Sequence, residues 1–404
     1  MAKVLAIGNL VLDTVLITDH FPQEDEELRA ESRLRQPGGN AANSLYVLTQ
    51  LGHHTSLVTT LAADQEARLL TQVLQQRGID LSHIQRKLKG ATPSSYILLN
   101  QQSGTRTIVH YRDLPEVNFD HFAKIEIEAY DWLHFEGRNV PELKGMLNIA
   151  RTFCPELPIS IDLEKPRDGI EALLDKVNVL FTGKHYAQAK GHEDAAACIE
   201  ALRTCAPQAL MICTWGDAGA WWQMPGGDIV HTPAQNVRVK DTLGAGDTFL
   251  AGVIHKLLQQ ATPAEAVHYG NELAARKCRQ QGLDNLLAPL ADDQPLAKSS
   301  DISAAKATIA HVPGRDTTVI LIRDKDTDTI KAYINNCPHQ QVPLNEAYKV
   351  DVNPFAKTLK CSVHDAWFKV EDGECVEGPC QGDHLQPFPI RIDEAGNIYA
   401  AIDD

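Results

Sequence analysis

Asp241-Thr242-Leu243-Gly244-Ala245-Gly246-Asp247-Thr248-Phe249 runs straight into a helical pattern that continues to Gln259. Gly244 and Gly246 let the backbone approach a ligand closely. The N–H groups of Ala245, Gly246 and Asp247 fall at the start of the helix, where free donors and the helix dipole form an anion site. A phosphoryl group in transfer gathers negative charge on its oxygens, and such a cradle stabilises it. Asp247 then lies within reach of an attacking hydroxyl and can accept its proton as general base. A plainer reading of the same stretch is a tight turn whose aspartate caps a helix.

Toward the N-terminus, Pro37-Gly38-Gly39-Asn40-Ala41-Ala42-Asn43 opens a second helix. Asn40 and Asn43 lie one turn apart on one face. Their amides donate and accept at once, which suits sugar hydroxyls; an N-capping turn is the alternative. Asp13 follows a strand and a turn, where a carboxylate can hold two hydroxyls or simply face solvent.

Around these motifs, short β-branched runs alternate with helical patterns. Strands are expected at 4–7, 53–60, 159–162, 177–182 and 210–214. Helices are expected at 40–51, 66–77, 195–204, 245–259 and 264–279. That alternation predicts an α/β body, a parallel sheet with helices on both faces. The stretches 14–36 and 92–111 break it with strand-like runs such as Ser95–Leu99 and Arg106–Tyr111. They are read as antiparallel strands forming a small β lid over the ends of the parallel strands.

A Pro-, Ala-, Ser- and Asp-rich stretch follows, and 288–304 reads as a linker between a first domain at 1–287 and a second at 305–404. Beyond it only short strands are expected, at 318–323, 330–335, 359–362, 366–370 and 398–402, so the second domain is all-β. It contains Cys337-Pro338-His339 and Cys361-Ser362-Val363-His364, with 21 residues between His339 and Cys361. One Cys and one His come from each of two loops. A Rieske 2Fe–2S centre takes that set, two thiolates on one iron and two imidazoles on the other. A zinc site built from the same four side chains is the competing assignment.

The chain has 404 residues, a net charge of −15 and 43% hydrophobic residues, ordinary for a globular protein. The acid excess argues against nucleic-acid binding, which needs a positive face. The nine cysteines are odd in number and scattered, so they are not read as a disulfide framework. Cys154, Cys198, Cys205, Cys213 and Cys278 are expected to be reduced packing residues. The N-terminus lacks a signal-peptide pattern and no apolar run approaches a membrane span, so a cytoplasmic, membrane-free protein is expected.

Together, Gly38-Gly39-Asn40-Ala41-Ala42-Asn43 and Asp241-Thr242-Leu243-Gly244-Ala245-Gly246-Asp247-Thr248-Phe249 resemble the two signatures of ribokinase-like (PfkB-type) carbohydrate kinases. The resemblance is closest to the ketohexokinase family and covers most of 1–290. Supporting stretches are Val11-Leu12-Asp13, Gly104-Thr105-Arg106-Thr107-Ile108, Trp132-Leu133-His134-Phe135-Glu136-Gly137-Arg138-Asn139, Glu164-Lys165-Pro166-Arg167 and Ala274-Ala275-Arg276-Lys277-Cys278. It implies a ribokinase-like fold and phosphorylation of the 1-hydroxyl of fructose with ATP and Mg2+. It implies sugar contacts from Asp13, Gly39, Asn40, Asn43 and Asp247, with Arg106 near the phosphoryl group or sugar. Asp241 would lie near the cation or phosphates. In Trp215-Gly216-Asp217-Ala218-Gly219-Ala220, Gly216 and Gly219 would pass close to ATP. Glu136, Arg138, Glu164, Lys165 and Arg167 read either as site residues or as a structural ion-pair network beneath it. A homodimer through the lid is expected.

From 305 onward the chain resembles Rieske ferredoxins, with Trp367-Phe368, Asp372-Gly373, Glu377-Gly378-Pro379 and Leu385-Gln386-Pro387-Phe388-Pro389 following the second loop. This implies Cys337, His339, Cys361 and His364 as cluster ligands and an electron-transfer partner protein. Cys375 and Cys380 fall outside the ligand pattern and are read as free thiols. The quinol-oxidising type carries an additional cysteine pair in its loops that is lacking here. The expected activity is a sugar kinase with an appended electron-transfer or redox-sensing domain. Two alternatives stand beside it: a redox protein whose kinase-like part only binds a ligand, and a kinase for another sugar or a nucleoside.

Overall fold

The computed structural model describes residues 1–103, 105–290 and 293–401. Gly104 of the lid stretch, Ala291 and Asp292 of the expected linker, and Ile402 at the end of the last expected strand lie outside the described residues. The chain divides into two compact units, Met1–Leu287 and Ala288–Asp404.

The strand Lys3–Ile7 sits inside the main sheet of the first unit. It pairs in parallel with His54–Ala62 on one side and Trp132–Glu136 on the other. The parallel order continues through Ile159–Leu163, Val179–Gly183 and Leu210–Thr214. Two antiparallel strands, Ala220–Gln223 and Val230–Thr232, close that edge. Successive side chains of a strand point to opposite faces, and the cores follow that rule. Val4 and Ala6 join Leu45, Leu48 and Phe249 in one cluster; Leu5 and Ile7 join Phe135, Leu147 and Leu180 in the other. Both faces are therefore covered, as the near-continuous apolar strands required.

The lid is a separate sheet in the order Ser32–Gly38, Val11–Thr18, Ser94–Asn100, Arg106–Tyr111. The antiparallel expectation holds for its outer pairs and fails at its centre. There Val11–Thr18 and Ser94–Asn100 run parallel, with Asp13 opposite Ser95. These two strands are distant in sequence, and the chain crosses the body between them, which permits parallel pairing. Asp13, Ser95 and His110 share one register line and face inward, while Tyr96, Val109 and Tyr111 point outward and are 54%, 64% and 53% exposed.

Two helices begin at this sheet system without a side-chain cap, Asn40–Gln50 after Gly39 and Ala245–Leu258 after Gly244. By contrast Asp64, Asp194 and Thr262 cap their helices with side-chain oxygens. Asp247 lies in the first turn of its helix and does not cap it.

The second unit is built from small antiparallel sheets. One holds Thr308–His311, Thr318–Arg323 and Ile330–Ile334; another holds Asp351–Asn353, Thr358–Lys360, Trp367–Lys369 and Cys375–Glu377. In the third, Asn397–Ala400 lies between Ala297–Lys298 and Ile390–Ile392 and pairs with both. The stretch read as a linker thus differs in its second half. Leu296 donates its N–H to Ile398 and Ile302 is buried, so that part is woven into the second unit. The reason is apolar: Leu296 and Ala297 pack against a small core around Val319 and Ile398. Among the described residues no helix is long and apolar enough to cross a membrane.

Candidate active site and metal centre

A cleft of about 820 Å³ opens between the lid and the C-terminal ends of the parallel strands. Of the residues singled out in the sequence, Asp13, Gly39, Asn40, Asn43, Arg106, Gly216, Gly244, Gly246 and Asp247 line it. Asn43 Nδ2 donates to Asp247 Oδ2 at 2.8 Å, which joins the two motifs directly. Arg106 reaches across from the lid, and its Nη1 donates to Thr242 Oγ1 at 2.8 Å. The glycine pair before Asn40 is sterically required. A Cβ on Gly38 would stand 1.9 Å from Asp13 Oδ2, and Gly39 adopts φ +105°, where a Cβ would stand 2.2 Å from the Asn9 carbonyl oxygen. A side chain at either position would displace the lid carboxylate or the strand-to-helix turn.

Enclosure sets the protonation of the cleft carboxylates. Burial, reinforced by the charges of Glu136, Glu164 and Asp13, raises Asp247 to about 7, against an opposing hydrogen bond from Asn43. Burial raises Asp13 to about 6, against a hydrogen bond from Ser95. Asp247 is thus poised to exchange a proton near neutral pH.

Glu136 is buried at the end of its strand. Its Oε1 accepts from Asn9 N at 3.0 Å and from Ala41 N at 2.9 Å, and its Oε2 pairs with Arg138 Nε at 3.0 Å. Arg138 also reaches Glu164 at 3.3 Å and Glu116 at 3.7 Å. Glu136, Arg138 and Glu164 therefore form an ion-pair network in the wall of the site, and with Lys165 and Arg167 they line the cleft itself.

Three expected site residues are placed elsewhere. Asp241 does not line the cleft; its Oδ2 accepts from Lys277 Nζ at 2.8 Å and Gly282 N at 3.0 Å, and its Oδ1 from Leu243 N at 2.8 Å. With Lys277 fully buried, this pair anchors the loop, and the carboxylate is already committed. Gly219 packs against the backbone of Thr232 in the edge hairpin, where a Cβ would stand 2.3 Å from its carbonyl oxygen. Ala245 does not line the cleft, although both its neighbours do.

Sequence reading missed Asp162, Lys184, His185 and His110, all of which line the cleft. Asp162 stands one residue before the C-terminal end of the strand Ile159–Leu163, where ligands gather in such sheets; that position was the available signal. Burial, with the charges of Asp247, Glu164 and Glu136, raises it to about 8, and Asn40 hydrogen-bonds to it. His110 bonds Ser95 at 3.2 Å, extending the line Asp13–Ser95–His110 along the lid.

In the second unit, the first loop follows Ile330–Ile334 and the second turns between Thr358–Lys360 and Trp367–Lys369. Ser362 N donates to Leu344 O at 2.8 Å, holding the two loops together. Cys337 N donates to Val342 O, and Cys361 N to Ala366 O, so each loop folds around its cysteine. Both cysteines are fully buried. Ligand atoms of Cys337, Cys361 and His364 lie within 4.8 Å of one another. The exposed His339 ring stands 4.5 Å from that of His364. Two buried thiols behind two imidazoles near the surface fit a cluster with one thiolate-held and one imidazole-held iron.

The chain matches the pfkB family carbohydrate kinases over residues 1–289 and the Rieske 2Fe–2S domain over residues 292–389. Ketohexokinase of Mus musculus is 35% identical over 294 residues, covering 70% of this chain and 99% of that protein. ATP-dependent ribose-1-phosphate kinase of Halopiger xanaduensis is 26% identical, covering 72% and 96%. Among solved structures, ribokinase of Cryptococcus neoformans in complex with ADP aligns at TM-score 0.60 and 17% identity, covering 71% of this chain and 96% of that one.

Asp162 gives a stability prediction. Its folded pKa is raised above the ordinary carboxylate value, so it weakens the fold increasingly as pH climbs from about 4 to about 8. Asp162→Asn should therefore raise the thermal midpoint of the first unit, and the gain should be larger at pH 8 than at pH 5. Calorimetry at both pH values checks this; a gain independent of pH would contradict it.

Proposed function

We propose, from the premise that this chain belongs to the pfkB family of carbohydrate kinases and carries a C-terminal Rieske domain, that it phosphorylates the 1-hydroxyl of a ketohexose such as fructose. Membership implies a sugar substrate with ATP and Mg2+, and the Rieske domain implies a 2Fe–2S cluster. The carrying observation is the hydrogen bond from Asn43 to Asp247, which joins the sugar-side and phosphoryl-side motifs in one cleft. The 35% identity to a ketohexokinase supports the ketose.

In this reading Asp13, Gly39, Asn40 and Asn43 hold the sugar hydroxyls. Asp247 takes the proton of the hydroxyl that attacks the terminal phosphorus. The uncapped start of the Ala245–Leu258 helix, with Gly244 and Gly246, receives the charge that builds on the phosphoryl oxygens. Arg106, held across the cleft by Thr242, adds a positive charge at the same end. Gly216, which lines the cleft, would pass close to ATP. Asp241 serves the loop's shape rather than the cation.

In the second unit, Cys337, His339, Cys361 and His364 would hold the cluster, which supplies one-electron transfer when bound. The exposed His339 offers the docking edge for an electron-transfer partner protein. Within the lid, the outward Tyr96, Val109 and Tyr111 form an apolar face that fits a second copy of the chain.

Asp247→Asn should lower kcat by about a hundred- to ten-thousand-fold while leaving the circular dichroism spectrum unchanged. In the parent enzyme kcat/KM should fall as pH drops through about 7, because only the ionised carboxylate accepts a proton. Retained turnover in the variant would remove Asp247 from the role of base. A panel of ketoses, aldoses and nucleosides with MgATP should show the highest kcat/KM for fructose; a preferred nucleoside would overturn the substrate assignment. Val109→Asp should convert a dimer to monomer by light scattering, whereas a monomeric parent would refute the lid interface.

A further inference from the structure

Two cysteines outside the proposed ligand set lie in the same buried cluster as Cys337 and Cys361. Cys375 and Cys380 are 1% and 4% exposed. A tight turn brings them together: Cys375 N donates to Asp383 O at 2.7 Å, Gly382 N to Cys375 O at 2.9 Å and Asp383 N to Cys380 O at 2.9 Å. Their sulfurs stand 3.2 Å apart. The Cys375 thiol directs its own proton to Glu377 O at 3.4 Å, so its sulfur is left as an acceptor. Gly378 presses this turn onto Ala366, where a Cβ would come within 2.7 Å of Ala366 Cα. Ala366 in turn accepts the N–H of Cys361. The thiol pair is therefore fixed against the back of the cluster loops.

In the structure Cys380 donates its one proton to Cys375 Sγ, and a second sulfur, Cys337 Sγ, neighbours it in the same buried cluster. The first is a neutral thiol and a weak acceptor. The second, as an iron ligand, is a thiolate, and a charged acceptor draws the stronger bond. Water does not compete at so enclosed a position. Reduction adds negative charge to the cluster and its sulfur ligands, so a donor on a ligand sulfur favours the reduced form.

We propose that Cys380, positioned by Cys375 and the Cys375–Asp383 turn, donates a thiol hydrogen bond to Cys337 Sγ and raises the reduction potential of the cluster. This rests on the proposed assignment of Cys337 as a ligand. Cys380 is a positioning residue for the cluster's electron density and binds no iron.

The test uses the full chain, reconstituted anaerobically with iron and sulfide, and compares the parent with Cys380→Ala and Cys380→Ser. Midpoint potentials come from a spectroscopic redox titration at matched cluster content. Hyperfine spectra in D2O report an exchangeable deuteron near the cluster. Cys380→Ala should shift the potential downward and lose that deuteron coupling. Cys380→Ser, which keeps a donor, should retain both. If the Ala variant holds no cluster, Cys380→Val fills the volume without a donor and takes its place. Equal potentials for parent and donor-free variant would overturn the proposal, as would a Ser variant that falls with Ala. A Cys375–Cys380 disulfide in the parent, found by mass spectrometry without reductant, would leave no proton to donate and would also overturn it. Absence of a Rieske spectrum from the parent would instead refute the ligand assignment beneath it.

Discussion

Glu136 holds the first unit's site in shape. Its carboxylate is buried at the end of a parallel strand and satisfies the backbone of a loop and of a helix start at once, through Asn9 and Ala41. That loop leads into the strand carrying Asp13, and that helix carries Asn40 and Asn43. A carboxylate buried in that way is costly unless its hydrogen bonds and a counter-charge are present. Arg138 supplies the charge, and its link to Glu164 carries the constraint to the next strand. Gly8 and Gly38 follow from the same geometry, since side chains there would collide with Glu136 and Asp13 respectively. These two glycines are thus consequences of where the carboxylates must lie.

The cleft concentrates acid in a protein that is already acidic. Asp13, Asp162 and Asp247 all have raised pKa values, chiefly through burial. For a phosphoryl acceptor site this looks adverse, because an anionic donor must approach. The arrangement works because carboxylates held partly protonated repel less, and because cations stand at the rim. Arg106, Lys165, Arg167 and Lys184 line the same cleft. Anion-binding helix starts add fixed partial charge that needs no counter-ion. The acid excess of the whole chain is therefore a poor guide to the field inside the cleft.

The parallel body, its helices and the two cysteine–histidine loops were legible in the sequence, because each is written in local signals. Runs such as Leu210–Thr214 and Thr318–Arg323 are short, apolar and bounded by turns. What was not legible depends on distant pairing. The parallel join of Val11–Thr18 with Ser94–Asn100 cannot be told from an antiparallel one by alternation, since both have period two. Asp241 reads as a site residue from its place in the motif, yet Lys277, a distant residue, takes it up. Asp162 reads as a strand end until the strand order places it beside Asp247 and Asn40. The β-pairing of Ala297–Lys298 was hidden because a short segment in a Pro- and Ala-rich stretch shows no period.

Phosphoryl transfer is redox-neutral, so an electron held by the second unit is not consumed by the reaction of the first. Influence of one on the other would be a coupling free energy, visible only if cluster reduction changed sugar or nucleotide affinity. The second unit's own construction points outward. Cys337 and Cys361, proposed as its thiol ligands, are fully buried, whereas the imidazole of His339 is exposed, so under that proposal an electron would leave toward a partner through histidine. The thiolate side is the dry side, and there the environment is set by sulfur rather than water. A donor placed behind Cys337 acts on the stability of the reduced state without touching the edge where a partner would dock. The potential and the docking surface can then vary independently, one through Cys375 and Cys380, the other through the residues around His339 and His364.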